Sequence, residues 1–186
     1  MAKAEPEITP QTAVRKRMMF VTQDDFYFLT YNLIILLDQL DCKKADKVFV
    51  DIRKIAFLID FISDHSLAML IARGKELDGE VRASDKNTLN NCYSKGKDRV
   101  PFVNRLAYAL EKKQFITIVA DQENKTIGAY LNPDNLPKGF ISTEMFDNEI
   151  KNVGLIKSTF SRIRTTSLSA FLENVFRSNG VSTWLD

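Results

Sequence analysis

Histidine, cysteine and glycine are scarce in this chain, and each scarcity excludes a chemistry. His65 is the only imidazole, and Cys42 and Cys92 form no CxxC pair. A structural zinc site therefore lacks its ligands, and the thiols are expected to stay reduced in a cytosolic compartment. Neither cysteine lies in a Cys–His or G-x-S-x-G-like setting, so nucleophilic catalysis has no recognisable frame, and His65 reads as a loop or core residue. There are 7 glycines and no GxGxxG. Gly74 and Gly79 have the offset of a phosphate-binding loop, but Glu80-Val81 stand where Lys-Ser/Thr is needed to neutralise the phosphates. No run of about 18 apolar residues is present, so no membrane span is expected. The opening stretch MAKAEPEITPQTAVRKR has no apolar h-region and does not read as a secretory signal. Charge of one sign is lacking too. The 26 basic and 24 acidic residues leave +2, without the basic excess of a dedicated non-specific DNA binder.

What remains is a hydrophobic fraction of 45% with 13 Phe in 186 residues, enough for one aromatic-rich core. Residues 1–17 read as a polar, mobile arm with Pro6 and Pro10, and its Arg15-Lys16-Arg17 triplet is more simply a solvated patch than a phosphate contact. Residues 18–186 read as a single α-rich domain. Thr22-Gln23-Asp24-Asp25 resembles a capping box, opening a helix to about Leu40 that is apolar on nearly all sides. Such a helix is either central to the core or covered by another subunit. A second helix is expected from about Lys47 to Ile62 and a third from Ser66 to about Leu77. Asp78 to Lys97 reads as a loop with one short helix around Lys86 to Tyr93. C-terminal helices are expected within 142–178, one capped by Ser142-Thr143 and ended by Gly154, and one from Ser161 to Ser178 stopped by Asn179-Gly180.

The stretch from Asp98 to Leu131 is the most distinctive. Asp98 is a candidate N-cap, Pro101 falls in the first turn, and Phe102, Val103, Leu106, Ala107 and Leu110 form an apolar stripe. Phe115 to Ala120 is rich in β-branched residues. Gln122-Glu123-Asn124-Lys125 makes a short hairpin link to Thr126–Leu131. Helix followed directly by hairpin is the order of a recognition helix and its wing. The fold expected is mainly α with a small β-hairpin, a helical bundle with a winged-helix-like unit at about 85–131.

The carboxylate pairs Asp24-Asp25, Asp38/Asp41 and Asp60/Asp64 sit at helix ends or one turn apart, where capping and solvation explain them at least as well as metal binding. No catalytic residue, metal or cofactor is assigned. Lys95, Lys97, Arg99, Arg105, Lys112 and Lys113 lie close together in sequence. Arg99, Arg105, Lys112 and Lys113 are the candidate nucleic-acid contacts, against the reading of a solvated helix face. The hairpin tip, with Asp121 and Glu123 beside Lys125, is a poor wing for a minor groove.

YNLIILLDQLDC, DIRKIAFLIDFISDH and VPFVNRLAYALEKKQFITIV together resemble the small middle component of bacterial ABC three-component systems, which include Lamassu-type anti-phage and anti-plasmid defence complexes. The resemblance spans about Phe26 to Leu131 and includes the Asp-Phe pair in Ile59-Asp60-Phe61. A proline often follows that pair in the family, whereas Ser63-Asp64-His65 stands here. The resemblance implies a non-enzymatic cytoplasmic adaptor between an SMC/Rad50-like ABC ATPase and an effector, often a nuclease, with DNA sensed by the complex. The candidate partner interface is Phe26, Tyr27, Tyr31, Ile34, Ile35, Phe57 and Phe61. The alternative is a stand-alone winged-helix regulator that binds duplex DNA.

Overall fold

The computed structural model describes residues 26–76, 81–141 and 144–184. The N-terminal arm, its basic triplet, the Thr22–Asp25 capping box and the Ser142-Thr143 cap lie outside the described residues. The architecture is mostly helical with one two-stranded antiparallel hairpin.

Helix α1, Phe26–Gln39, is apolar on nearly every side because the chain wraps it: Leu29 and Asn32 through Leu37 are all buried. It closes on Asp41, whose φ of 57° lets the Cys42 N–H reach back to the Leu37 carbonyl at 2.8 Å. Asp is among the few non-glycine residues that tolerate this left-handed conformation.

The second helix does not start near Lys47. Helix α2 is Lys54–Ser63, and the residues before it form turns and bends around a single bridge at Phe49. Phe49 exchanges both backbone hydrogen bonds with Ala129, and the Ile52 N–H donates to the Ile127 carbonyl at 2.8 Å. Two features displace the helix. Asp51 takes φ 58°, its carboxylate held by the Arg53 N–H at 3.2 Å and by the Arg53 guanidinium at 2.6 and 2.8 Å. Gly128 lets the segment approach, since a Cβ there would sit 2.9 Å from the Phe49 carbonyl oxygen. Short apolar runs rich in Val and Ile fit either period, and tertiary pairing decided this one.

Helix α3, His65–Glu76, matches its expected span, with Asp64 as its cap: its carboxylate accepts from the Ser66 N–H at 2.8 Å and the Ser66 hydroxyl at 2.6 Å. Of the stretch expected as a loop with one short helix, residues 78–80 lie outside the described residues, and from Ala83 it is the first half of helix α4, Ala83–Lys112, a 30-residue helix with Pro101 in its interior. Asp98 therefore lies within α4 and caps nothing. The carbonyl that Pro101 leaves without a donor belongs to Lys97, and both residues are exposed, so water can serve it.

Helix α4 ends at Gln114, φ 61°, where the Phe115 N–H returns to the Leu110 carbonyl at 3.0 Å. Strand β1, Ile116–Asp121, then pairs with β2, Thr126–Leu131, in a register running from Ile116 opposite Leu131 to Asp121 opposite Thr126. The link is Gln122–Lys125, as expected, and the Asp121 carboxylate accepts from the Asn124 N–H at 3.1 Å and its side-chain amide at 2.7 Å.

Helix α5, Asp147–Thr159, passes through Gly154 instead of ending there. Helix α6 is only Leu168–Val175. The residues expected to begin it, from Ser161, form turns whose carbonyls are taken by another side chain, described below. Gly180, φ 77°, makes the expected stop.

One apolar core joins all these elements. Phe57 stacks on Tyr93 at 5.7 Å and meets Phe176 at 6.1 Å, while Phe61 meets Phe176 at 6.0 Å. Full burial of each such ring contributes on the order of 2–3 kcal/mol. Helices α2 and α4 cross closely at Gly96, where a Cβ would lie 2.4 Å from the Phe57 ring and 3.0 Å from its Cα.

Gly96→Ala should therefore destabilise the fold by about 1–3 kcal/mol through overpacking. Gly154→Ala, where an added Cβ meets nothing within 4 Å, should stabilise it by about 0.5–1 kcal/mol. Urea denaturation of the two variants checks both signs at once.

Candidate interaction surfaces

The expected partner interface divides in two. Ile34, Ile35, Phe57 and Phe61 are corrected to core residues, each covered by this chain's own helices. At the start of α1, Phe26 is 46% and Tyr27 78% exposed. Tyr31 is half-buried and stacks on Phe146 at 5.2 Å, next to the exposed Met145. Of the seven, only Phe26 and Tyr27 are exposed among the described residues.

The expected nucleic-acid contacts divide as well. Arg99 is 4% exposed and lies between α4 and α2, its guanidinium 2.8 Å from the Asp60 carboxylate. It is a core ion pair and cannot touch a phosphate. Its Nε and the second Asp60 oxygen are buried without a hydrogen-bond partner among the described residues, as a strained or water-assisted pair would be. Asp60 is the acid of the Asp-Phe pair, so that dipeptide supports packing on both sides: the acid holds Arg99 and the ring meets Phe176. Arg105, Lys112 and Lys113 remain on the exposed side of α4.

Sequence reasoning missed Lys54, a fully buried lysine at the start of α2. Its ammonium donates to the carbonyls of Thr166 at 2.6 Å, Ile163 at 2.7 Å and Arg164 at 3.4 Å, and lies 4.4 Å above the Phe49 ring. Burial pushes it down from 10.5 to about 7, while the neighbouring Asp51 charge works in the opposite direction. The available signal was its position: Lys54 falls in register with Phe57, Leu58 and Phe61 on a helix otherwise apolar at those positions.

The other titratable groups are similarly occupied. Asp38 pairs with Lys43 at 2.6 Å, and Asp41 pairs with Lys47, whose ammonium holds the Asp41 carboxyl below its usual range. His65 Nδ1 lies 2.8 Å from the buried Asn152 side-chain oxygen, and Asn152 in turn donates to the Ile62 carbonyl at 2.9 Å. Burial pushes Cys42 up to about 11 and Cys92 up to about 12, away from a reactive thiolate. Trp184 keeps its indole exposed, but its backbone N–H and carbonyl both bond the Tyr93 hydroxyl, at 3.0 and 2.6 Å.

Among the described residues no group of three His, Cys, Asp or Glu could hold a metal ion. A cleft of about 300 Å³ beside Lys75, Arg162, Phe171 and Asn174 has no carboxylate, imidazole or thiol among its described lining residues. No single helix among the described residues is long and apolar enough to cross a membrane. No family model matches the chain, and neither does any curated protein or solved structure.

Two predictions follow from the buried charges. Arg99→Met, by leaving Asp60 unpaired, should cost about 3–5 kcal/mol, and the double variant Asp60→Leu/Arg99→Met should recover most of that loss in urea melts. For Lys54 the unfolded chain binds the extra proton between about pH 7 and 10.5, so stability should rise with pH above 7, by at most about 1.4 kcal/mol per unit. Above 9 the thiols act oppositely, because the unfolded chain loses protons that folded Cys42 and Cys92 retain. Denaturation at pH 7, 8 and 9 should show the rise in the natural chain and none in Lys54→Met.

Proposed function

We propose that this protein is a non-enzymatic adaptor built on a winged-helix-like unit, working in the cytoplasm between an SMC/Rad50-like ABC ATPase and an effector nuclease of a bacterial anti-phage or anti-plasmid complex. The observation that carries the reading is the exposed aromatic end of α1. Phe26 and Tyr27 are exposed at the head of a helix whose Leu and Ile residues the chain buries itself. Large aromatic side chains of this kind are the anchors of protein interfaces.

The order of elements supports the winged-helix-like part. The segment around Phe49 pairs on β2, which pairs on β1, and α4 leads directly into β1. Helix α4 takes the place of the recognition helix and Gln122–Lys125 the tip of the wing. The burial of α1 also modifies what the resemblance implies. A partner is not needed to cover the whole helix, so the chain should be soluble alone and recruit its partners through one end.

Co-expression with a coiled-coil ABC ATPase and a nuclease encoded beside its gene tests this. The chain should co-elute with them on gel filtration. Phe26→Asp/Tyr27→Asp should break that association while leaving the thermal melt of the isolated chain unchanged. Failure to form a complex, or a double variant that co-elutes undiminished, would overturn the reading. The alternative of a stand-alone regulator draws on the exposed Arg105, Lys112 and Lys113, and its mark is tight, salt-dependent binding to duplex DNA.

A further inference from the structure

We infer that the exposed stripe of α4 formed by Phe102, Arg105, Tyr108 and Lys112 binds single-stranded DNA, with its rings stacking on unpaired bases and its cations meeting the phosphates. This inference is independent of the adaptor reading, since it uses a different face of the molecule.

The stripe follows from helical geometry. Residues 102, 105, 108 and 112 fall within about 60° of one line along the helix, and Lys97 and Lys113 flank that line at about 80° on opposite sides. The structure leaves the line open to solvent. Phe102 is 38% and Tyr108 56% exposed, although both are large rings that a closed surface would cover. The Arg105 guanidinium lies 4.5 Å over the Phe102 centroid, which orients the cation along the face instead of leaving it to wander.

Charge complementarity selects the partner. None of Lys97, Arg105, Lys112 and Lys113 forms an ion pair among the described residues. Glu111 is diverted, because its carboxylate accepts from the Ile118 N–H at 2.9 Å and so ties α4 to β1. Asp98 is the acid left on the stripe, one turn before Phe102. A polyanion is therefore the partner that this face fits.

The rings then decide which polyanion. In a duplex the bases are stacked on each other and offer a side chain only their edges, so Phe102 and Tyr108 would gain little from it. Unpaired bases expose a face to every ring, and alternating cations and aromatics is the pattern that such strands use. The hairpin tip agrees, since Asp121 and Glu123 would oppose insertion into a minor groove. Among the described residues no stripe side chain carries a buried polar atom without a partner, so a ribose 2′-hydroxyl would gain no added contact there and the deoxy strand is the ligand proposed.

Fluorescence anisotropy of the full chain with a labelled single-stranded DNA 20-mer at low salt tests the inference. Binding is expected, and Arg105→Ala/Tyr108→Ala should weaken it by roughly 5- to 150-fold, the range for loss of one stacked base. Lys112→Ala should lower the slope of log affinity against log salt by about 0.7. Lys151→Ala, an exposed cation on α5, should change nothing, and melting curves should show all three variants folded. No binding would overturn the inference. So would tighter binding to the matching duplex or to single-stranded RNA, or a Lys151→Ala loss equal to that of the stripe variant.

Discussion

The fold depends on what the Lys54 ammonium holds together. An ammonium with three N–H groups, on a fully buried lysine, reaches the carbonyls of Ile163, Arg164 and Thr166. The helix that follows starts only after Ser167, whose side chain accepts from the Ala170 N–H. With those carbonyls occupied, the chain turns through 161–167, and the Val50 N–H also donates to the Arg164 carbonyl at 2.9 Å. One side chain thus ties the start of α2, the segment around Phe49 and the C-terminal region together. Replacing it costs more than a hydrogen bond, because the Ile163 carbonyl, which is buried, would lose this donor.

The same constraint sets the helix–hairpin unit. The segment from Cys42 to Ile52 is held on one side by the turn that Lys54 organises. On the other side it pairs with β2, where the Leu131 N–H donates to the Cys42 carbonyl at 2.7 Å and Phe49 pairs with Ala129. The hairpin is fastened to α4 by the Glu111–Ile118 bond and by the turn at Gln114, whose carbonyl accepts from the side chains of Asn132 and Asn135 at 3.0 and 2.8 Å. With its inner face packed at Gly96 against Phe57 and its end fixed to the sheet, α4 has only its outer face available. Among the described residues, Phe102 and Tyr108 on that outer face and Phe26 and Tyr27 at the head of α1 are large rings left exposed.

Much of the architecture was legible in the chain. Helices α1 and α3, the hairpin and its four-residue link, and the stop at Gly180 all follow from local signals that tertiary contacts did not oppose. The misplaced boundaries have particular causes. A proline usually opens a helix, yet the exposed mid-helix position of Pro101 tolerates it because water can serve the Lys97 carbonyl. Glycine often stops a helix, but on an exposed helical face Gly154 carries only a propensity cost.

The candidate sites split along the same line. Sequence alone determined composition, helical periodicity, the hairpin and the grouping of cations near Arg105, because these depend on residues within a few turns of each other. Only the tertiary structure decided that Arg99 belongs to Asp60, that Ile34, Ile35, Phe57 and Phe61 are core, and that Lys54 is buried. Each of those outcomes depends on which distant segment covers the side chain, and a helix apolar on all sides does not encode whether its cover comes from its own chain or another. Spacing along one helix tells which residues share a face. Whether that face meets water is settled by what packs against its opposite side.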